Sequence, residues 1–177
     1  MTDPRPEPDA HTASVSVTAE AELTPFAVRL LAALPRPAFV ALSGDLGAGK
    51  TTFVKAIAAA AGIDPAEVIS PTFGLVHEHA AHDATLLHAD LYRLVGPDDL
   101  HEIGWHDALS RATWAFVEWP ERIAAALPRD RIDVAIAIDS ATARTLTIVG
   151  RGPAHAAAIE RLSGRCNPGQ STSFRTA

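Results

Sequence analysis

The 177-residue chain has a single cysteine, Cys166, which excludes an intramolecular disulfide framework and any cysteine-rich zinc site. It lacks an apolar run of about 18 residues, so no transmembrane helix is expected. Its Pro- and Asp-rich start has no apolar h-region of the kind a secretory signal carries. A cytoplasmic protein with no membrane partner is the expectation. Positive charge is also scarce: 15 Lys and Arg stand against 21 Asp and Glu, a formal net charge of -6. Such an acidic chain is poorly suited to gripping nucleic acid through its own field. Aromatics are only 6% of residues, so the 47% hydrophobic fraction leans heavily on alanine. Even so, a chain of this length buries roughly 70% of its extended surface on folding, enough for a core without staples. Lysine occurs only at Lys50 and Lys55, and arginine carries the remaining positive charge. A lysine retained against that bias points to a need for its chemistry.

The two ends are rich in Pro, Ser, Gly and charge. Residues 1–14 are expected to be a disordered arm and 163–177 a disordered tail, with one domain over 15–162. Inside, strand and helix patterns interleave. Thr24-Pro25 marks a helix start ahead of Phe26, Leu30, Leu31 and Leu34 at helical spacing. Phe39 to Leu42 is a short buried strand, and Thr51 to Ala61, closed by Gly62, is a helix. Leu75 to His79 and Thr85 to Ala89 read as paired strands, and Trp114 to Val117 as another. Pro97 to Ile103 and Pro120 to Leu127 start like helices. Ile132 to Ile138 and Thr145 to Val149 form a terminal hairpin. Interleaving predicts an α/β fold, and the hairpins make its sheet mixed.

Gly44-Asp45-Leu46-Gly47-Ala48-Gly49-Lys50-Thr51 fits G-x-x-x-x-G-K-[ST] between a buried strand and a helix, the context a P-loop requires. Glycines let successive N–H groups turn toward phosphate oxygens, and the helix N-terminus adds its positive end. Asp45, Leu46, Gly47, Ala48, Gly49, Lys50, Thr51 and Thr52 are therefore the candidate phosphate cradle. Lys50 is expected to reach the β- and γ-phosphates, and the Thr51 hydroxyl to ligate Mg²⁺. Such a fold also needs an acidic partner for the metal at a neighbouring strand end. Asp90 and Glu118 each stop an apolar run abruptly, so one suits the metal and the other the attacking water. Glu118, ending the more apolar strand and followed by bulky Trp119, is the expected rigid metal residue, and Asp90 the one that moves when a partner docks. Neither lysine is followed two positions on by Asp, so the guanine motif of Ras-type GTPases is absent, and ATP is the expected nucleotide by elimination.

Four segments in order carry a family likeness: Gly44 to Thr52, Ser70-Pro71-Thr72-Phe73, His88 to Leu94 (His-Ala-Asp-Leu-Tyr-Arg-Leu), and Val117-Glu118-Trp119-Pro120-Glu121-Arg122. Over roughly residues 18–150 the chain resembles the bacterial TsaE (YjeE) family, the ATPase component of tRNA threonylcarbamoyladenosine biosynthesis. The resemblance implies a P-loop NTPase fold with a mixed, largely parallel sheet flanked by helices. It also implies weak ATP hydrolysis that depends on the TsaB–TsaD complex, through which alone tRNA is reached. In that family the transfer is to adenosine 37 of ANN-decoding tRNAs. By motif match, Lys50, Thr51 and Thr52 fall on phosphate and Mg²⁺ residues, Asp90 and Glu118 on the acidic pair with Glu118 as the metal carboxylate, and Thr72 on a switch-like loop. Gly74 stands where the family often has a further threonine, and the long ends depart from its compact pattern.

A small-molecule P-loop kinase is the alternative, but its usual Arg-rich lid has no counterpart beyond Arg122, Arg129 and Arg131, which read as surface charges. His77, His79, His82 and His88 cluster, yet without cysteine and on an exposed hairpin they make a weak metal set. For His88, packing near the γ-phosphate and a purely structural role are both open. Tyr92 and Arg93 suit either a partner surface or simple packing.

Overall fold

Three apolar runs, each ended by loop-forming residues, build the centre of the sheet. The computed structural model describes residues 10–71, 75–164 and 174–176. Ala38–Ser43 (β2), Thr85–Asp90 (β4) and Trp114–Glu118 (β5) are buried along nearly their whole length. A strand covered on both faces shows no polar side, hence continuous runs such as Ala-Phe-Val-Ala-Leu rather than alternation. β2 pairs in parallel with β5 and with Arg131–Ile138 (β6), and β5 pairs in parallel with β4. The outer pairs are antiparallel and bring in His11–Val17 (β1), Val76–Ala80 (β3), Arg144–Arg151 (β7) and Phe174–Thr176 (β8). The order across the sheet is β3-β4-β5-β2-β6-β7-β1-β8. The expected mixed α/β architecture is the one observed.

Alternation along the central strands divides the core in two. Ala38, Val40 and Leu42 of β2 and Trp114 and Phe116 of β5 face one cluster, together with the helices Leu23–Ala33 (α1), Lys50–Ala60 (α2) and Pro153–Gly164 (α4). Phe39, Ala41, Ala115 and Val117 face the other, covered by Trp105–Arg111 (α3) and by the 3₁₀ segments Pro97–His101 and Pro120–Ala126. The first cluster is knit by Phe53 of α2, whose ring lies 6.0 Å from that of Phe26 and 6.3 Å from that of Phe116. Among the described residues no helix is long and apolar enough to cross a membrane.

Several boundaries differ from the sequence-based expectation. Residues 11–14, expected within the N-terminal arm, belong to β1, where Ala13, Val15 and Val17 face the core and the intervening serines face away from it. Residues 163 and 164, expected in the tail, complete α4, and 174–176 pair with β1 as β8. Residues 1–9, 165–173 and 177 of the expected arms, Cys166 among them, lie outside the described residues. Thr24 and Pro25 sit inside the first turn of α1, which starts at Leu23, a position where proline's missing N–H costs nothing. The segments at 97–101 and 120–126 are 3₁₀ rather than α, the second interrupted at Ile123 by non-helical backbone.

Truncating the ring that joins α1, α2 and β5 tests this packing. Phe53→Ala is expected to cost about 3–5 kcal/mol of unfolding free energy. The midpoint of denaturant unfolding measures it, and a loss under about 1 kcal/mol would contradict the central place given to Phe53.

Candidate active site

The parity of β4 and β5 decides where their terminal carboxylates go. Side chains two apart share a face. Glu118 therefore follows Trp114 and Phe116 onto the α2 side of the sheet, and Asp90 follows Leu86 and His88 onto the same side. The parallel register sets Asp90 directly beside Glu118, and Glu118 beside Leu42 of β2. Two carboxylates thus stand on adjacent strand ends, next to the loop that leaves β2. Clefts at the carboxyl ends of parallel strands are where open α/β sheets place ligands.

That loop, residues 44–49, needs its glycines. Gly44 approaches β6 so closely that a Cβ would lie 2.5 Å from the Ile136 carbonyl oxygen. Gly49 caps the N-terminus of α2 with φ 103°, a left-handed conformation that favours glycine. Ala48 N–H donates back to the Asp45 carbonyl at 3.0 Å, and Arg144 Nε of β7 donates to the Ala48 carbonyl at 3.1 Å. The loop is thereby tied to the strands beneath it.

Lys50, the first residue of α2, is only 4% exposed. Its ammonium donates to the carbonyls of Gly44 at 2.7 Å and Asp45 at 3.0 Å, and lies 3.9 Å from the centre of the Trp119 ring. Burial pushes its pKa below the ordinary lysine value, while the negative charges of Glu118, Asp90, Glu121 and Asp45 pull the other way. Trp119 reaches this position from left-handed backbone, φ 59° and ψ 51°, its N–H held by the Leu42 carbonyl at 3.2 Å. Such a conformation costs an indole-bearing residue on the order of 1–3 kcal/mol, and strain of this kind concentrates at functional sites.

Thr51 Oγ1 donates to Glu118 Oε1 at 2.8 Å, joining the first turn of α2 to the end of β5. His88 Nε2 lies 2.8 Å from the same oxygen. Asp90 is held differently: one oxygen accepts a short hydrogen bond from the Ser70 hydroxyl, and the other accepts Tyr92 N–H at 3.1 Å. Glu118 and Asp90 are both buried, 3% and 6% exposed, so burial alone does not separate their roles. Their partners do. Glu118 is held from α2 and β4, whereas Asp90 is held from the segments beside residues 70 and 92. Thr72 and Gly74, singled out in the sequence, lie outside the described residues.

The sequence-selected residues Leu46, Gly47, Gly49, Lys50, Thr51, Thr52, Asp90 and Glu118 line one cleft, of about 390 Å³, with Ser70, Tyr92, Arg93 and Trp119. Ala48 lines a second cleft of similar size on the far side of the loop, with Gly47, Gly49 and Thr52 common to both. That second cleft is walled by Val17 to Glu20, Phe53, Ile136, Thr142 and Arg144. Asp45 lines neither and contributes its carbonyl to Lys50. Sequence reasoning did not find Arg144, one arginine among many, or the second cleft, which the β1, β6 and β7 ends assemble. Ser70 is visible in the sequence only as the first residue of the Ser-Pro-Thr-Phe segment. The signal for Ser70 was its place just ahead of a proline.

A family profile described as "Threonylcarbamoyl adenosine biosynthesis protein TsaE" matches residues 17–146. A Rickettsia bellii protein named tRNA threonylcarbamoyladenosine biosynthesis protein TsaE is 37% identical over 118 residues, 67% of this chain and 81% of that one. A Bacillus subtilis protein of the same name is 34% identical over 151 residues, 85% of this chain and 94% of that one. Among solved structures, that of Bacillus subtilis YdiB superposes with a TM-score of 0.69 at 30% identity, covering 89% of this chain and 98% of its own. The chain belongs to the TsaE family of threonylcarbamoyl adenosine biosynthesis proteins.

Proposed function

We propose that this protein is a P-loop ATPase that hydrolyses ATP to ADP and phosphate. On this reading it works in the cytoplasm on a TsaB–TsaD complex, and is required there for threonylcarbamoylation of adenosine 37 in ANN-decoding tRNAs. It meets tRNA only through that complex, which suits a chain with a net charge of -6. The observation that carries the reading is the 2.8 Å bond between Thr51 and Glu118 beside the buried Lys50 ammonium. It brings a hydroxyl, a carboxylate and a cation together at a glycine-capped helix N-terminus, the parts that phosphoryl transfer requires.

Backbone N–H groups of residues 47 and 49–52 and the Lys50 ammonium serve the phosphates, stabilising charge as it develops on the transferred group. Thr51 and Glu118 are the residues that would hold Mg²⁺. They offer two hard oxygen donors, and the described residues contain no cluster of three His, Cys, Asp or Glu that would cage a metal. That sparse donor set fits an ion that keeps its waters and takes substrate phosphates. When bound, Mg²⁺ neutralises phosphate charge. Asp90, fixed by Ser70 and the Tyr92 N–H, is suited to orient the attacking water in line. Trp119 and Tyr92, with ring centres 4.9 Å apart, help keep bulk water from the Lys50 side. The base and ribose take the second cleft, between the loop and the ends of β1, β6 and β7.

Measuring ADP release with and without TsaB–TsaD tests the reading. Turnover is expected to be slow alone and to rise with the complex, and Lys50→Ala is expected to lower it by about 10²-fold or more. Unchanged hydrolysis by that variant would sink the assignment, and phosphate appearing on a metabolite would favour a kinase. The carboxylates are expected to separate in a titration with Mg·ATP. Glu118→Ala weakens Mg²⁺-dependent binding in the isolated protein; Asp90→Ala keeps most of that binding and loses complex-stimulated hydrolysis. The opposite pattern exchanges the two roles.

A further inference from the structure

We infer that His88 is a positioning residue for the metal carboxylate: it clamps Glu118 Oε1 so that the other oxygen is left to serve Mg²⁺. The inference rests on the reading of Glu118 given above. Its ground is the placement of two donors on one atom. Thr51 Oγ1 and His88 Nε2 both lie 2.8 Å from Oε1, and Oε2 accepts no hydrogen bond among the described residues. A carboxylate held from two directions on a single oxygen cannot rotate without breaking both bonds. The two donors come from different layers, Thr51 from the helix above the sheet and His88 from the neighbouring strand.

The imidazole itself argues for this role over simple packing. His88 is 0% exposed, and its Nδ1 is buried with no partner among the described residues. A leucine would fill that interior without leaving a polar atom unsatisfied. The histidine gains only at Nε2, and only as a donor, because a bare nitrogen lone pair facing a carboxylate oxygen is repulsive. The contact therefore requires a proton on Nε2. Groups that orient metal ligands in this way typically change metal affinity by about 10–100-fold when removed. Sheet register reinforces the assignment, since His88 sits beside Phe116, two residues before Glu118 on the adjacent strand.

The test compares wild type, His88→Leu and His88→Gln by titrating a non-hydrolysable ATP analogue in EDTA and again in saturating Mg²⁺. The readout is the ratio of the two affinities. His88→Leu is expected to keep its Mg²⁺-free affinity and lose about 10-fold of the Mg²⁺-dependent gain. His88→Gln, whose amide N–H reaches the Nε2 position, is expected to recover most of it. A wild-type ratio in His88→Leu, or a fall in Mg²⁺-free affinity with the ratio unchanged, overturns the inference while leaving Glu118 as the metal residue. No Mg²⁺ gain in wild type overturns the Glu118 reading and this inference together. Imidazole ¹⁵N spectra of the metal-free wild type, which need no variant to fold, are expected to show a protonated Nε2. The reverse tautomer overturns the clamp.

Discussion

A buried ammonium is the constraint around which this molecule is arranged. Taking a lysine charge out of water costs several kcal/mol unless other groups replace its hydration. At Lys50 the replacements are two loop carbonyls and an indole face, with the negative charges of Glu118 and Asp90 nearby. Each imposes a demand elsewhere. The carbonyls face inward only because Gly44 and Gly49 bend the chain as they do. The indole reaches over the lysine only because Trp119 accepts left-handed backbone. The carboxylates are close only because β4 and β5 run parallel and in register to their last residues. A site built this way carries some expense in stability, as functional sites commonly do.

The sheet supplies the precision. Alternation sends Phe116 into the core beneath α2 and, two residues later, Glu118 up to the first turn of that same helix. Phe53 packs on Phe116 while Thr51, two residues before it, bonds Glu118. The aromatic contact and the polar one therefore link the same pair of elements, one deep and one at the cleft. Rigid elements, rather than loops alone, set the distance between hydroxyl and carboxylate.

Much of this was legible from residues alone. The glycine loop announced itself because its residue types are constrained by backbone geometry that no other composition meets. Glu118 and Asp90 stood out because a carboxylate ending an apolar run contradicts the burial around it. The family likeness on four ordered segments is borne out by the profile match over residues 17–146. What stayed hidden has physical reasons. In β1, serine and threonine dilute the alternation that marks a strand, so residues 11–14 read as part of an arm. In α4 the Ala-rich stretch has a weak apolar face and depends on packing against β1, β7 and α1 to be helical. His88 was noticed but its contact with Glu118 was not, because strand register decides which oxygen it meets. Arg144 and the second cleft arise from strands far apart in sequence, which no local pattern reveals.

The central claim is that the cleft between the glycine loop and the ends of β4 and β5 receives the phosphates of a nucleoside triphosphate. Amide chemical-shift mapping of the ¹⁵N-labelled protein during titration with a non-hydrolysable ATP analogue and Mg²⁺ tests it most directly. Saturable shifts are predicted at Gly47, Gly49, Lys50 and Thr51, extending to Thr142 and Arg144 in the second cleft. Absence of saturable shifts, or shifts confined to the opposite end of the sheet around Phe39 and His155, would contradict the account.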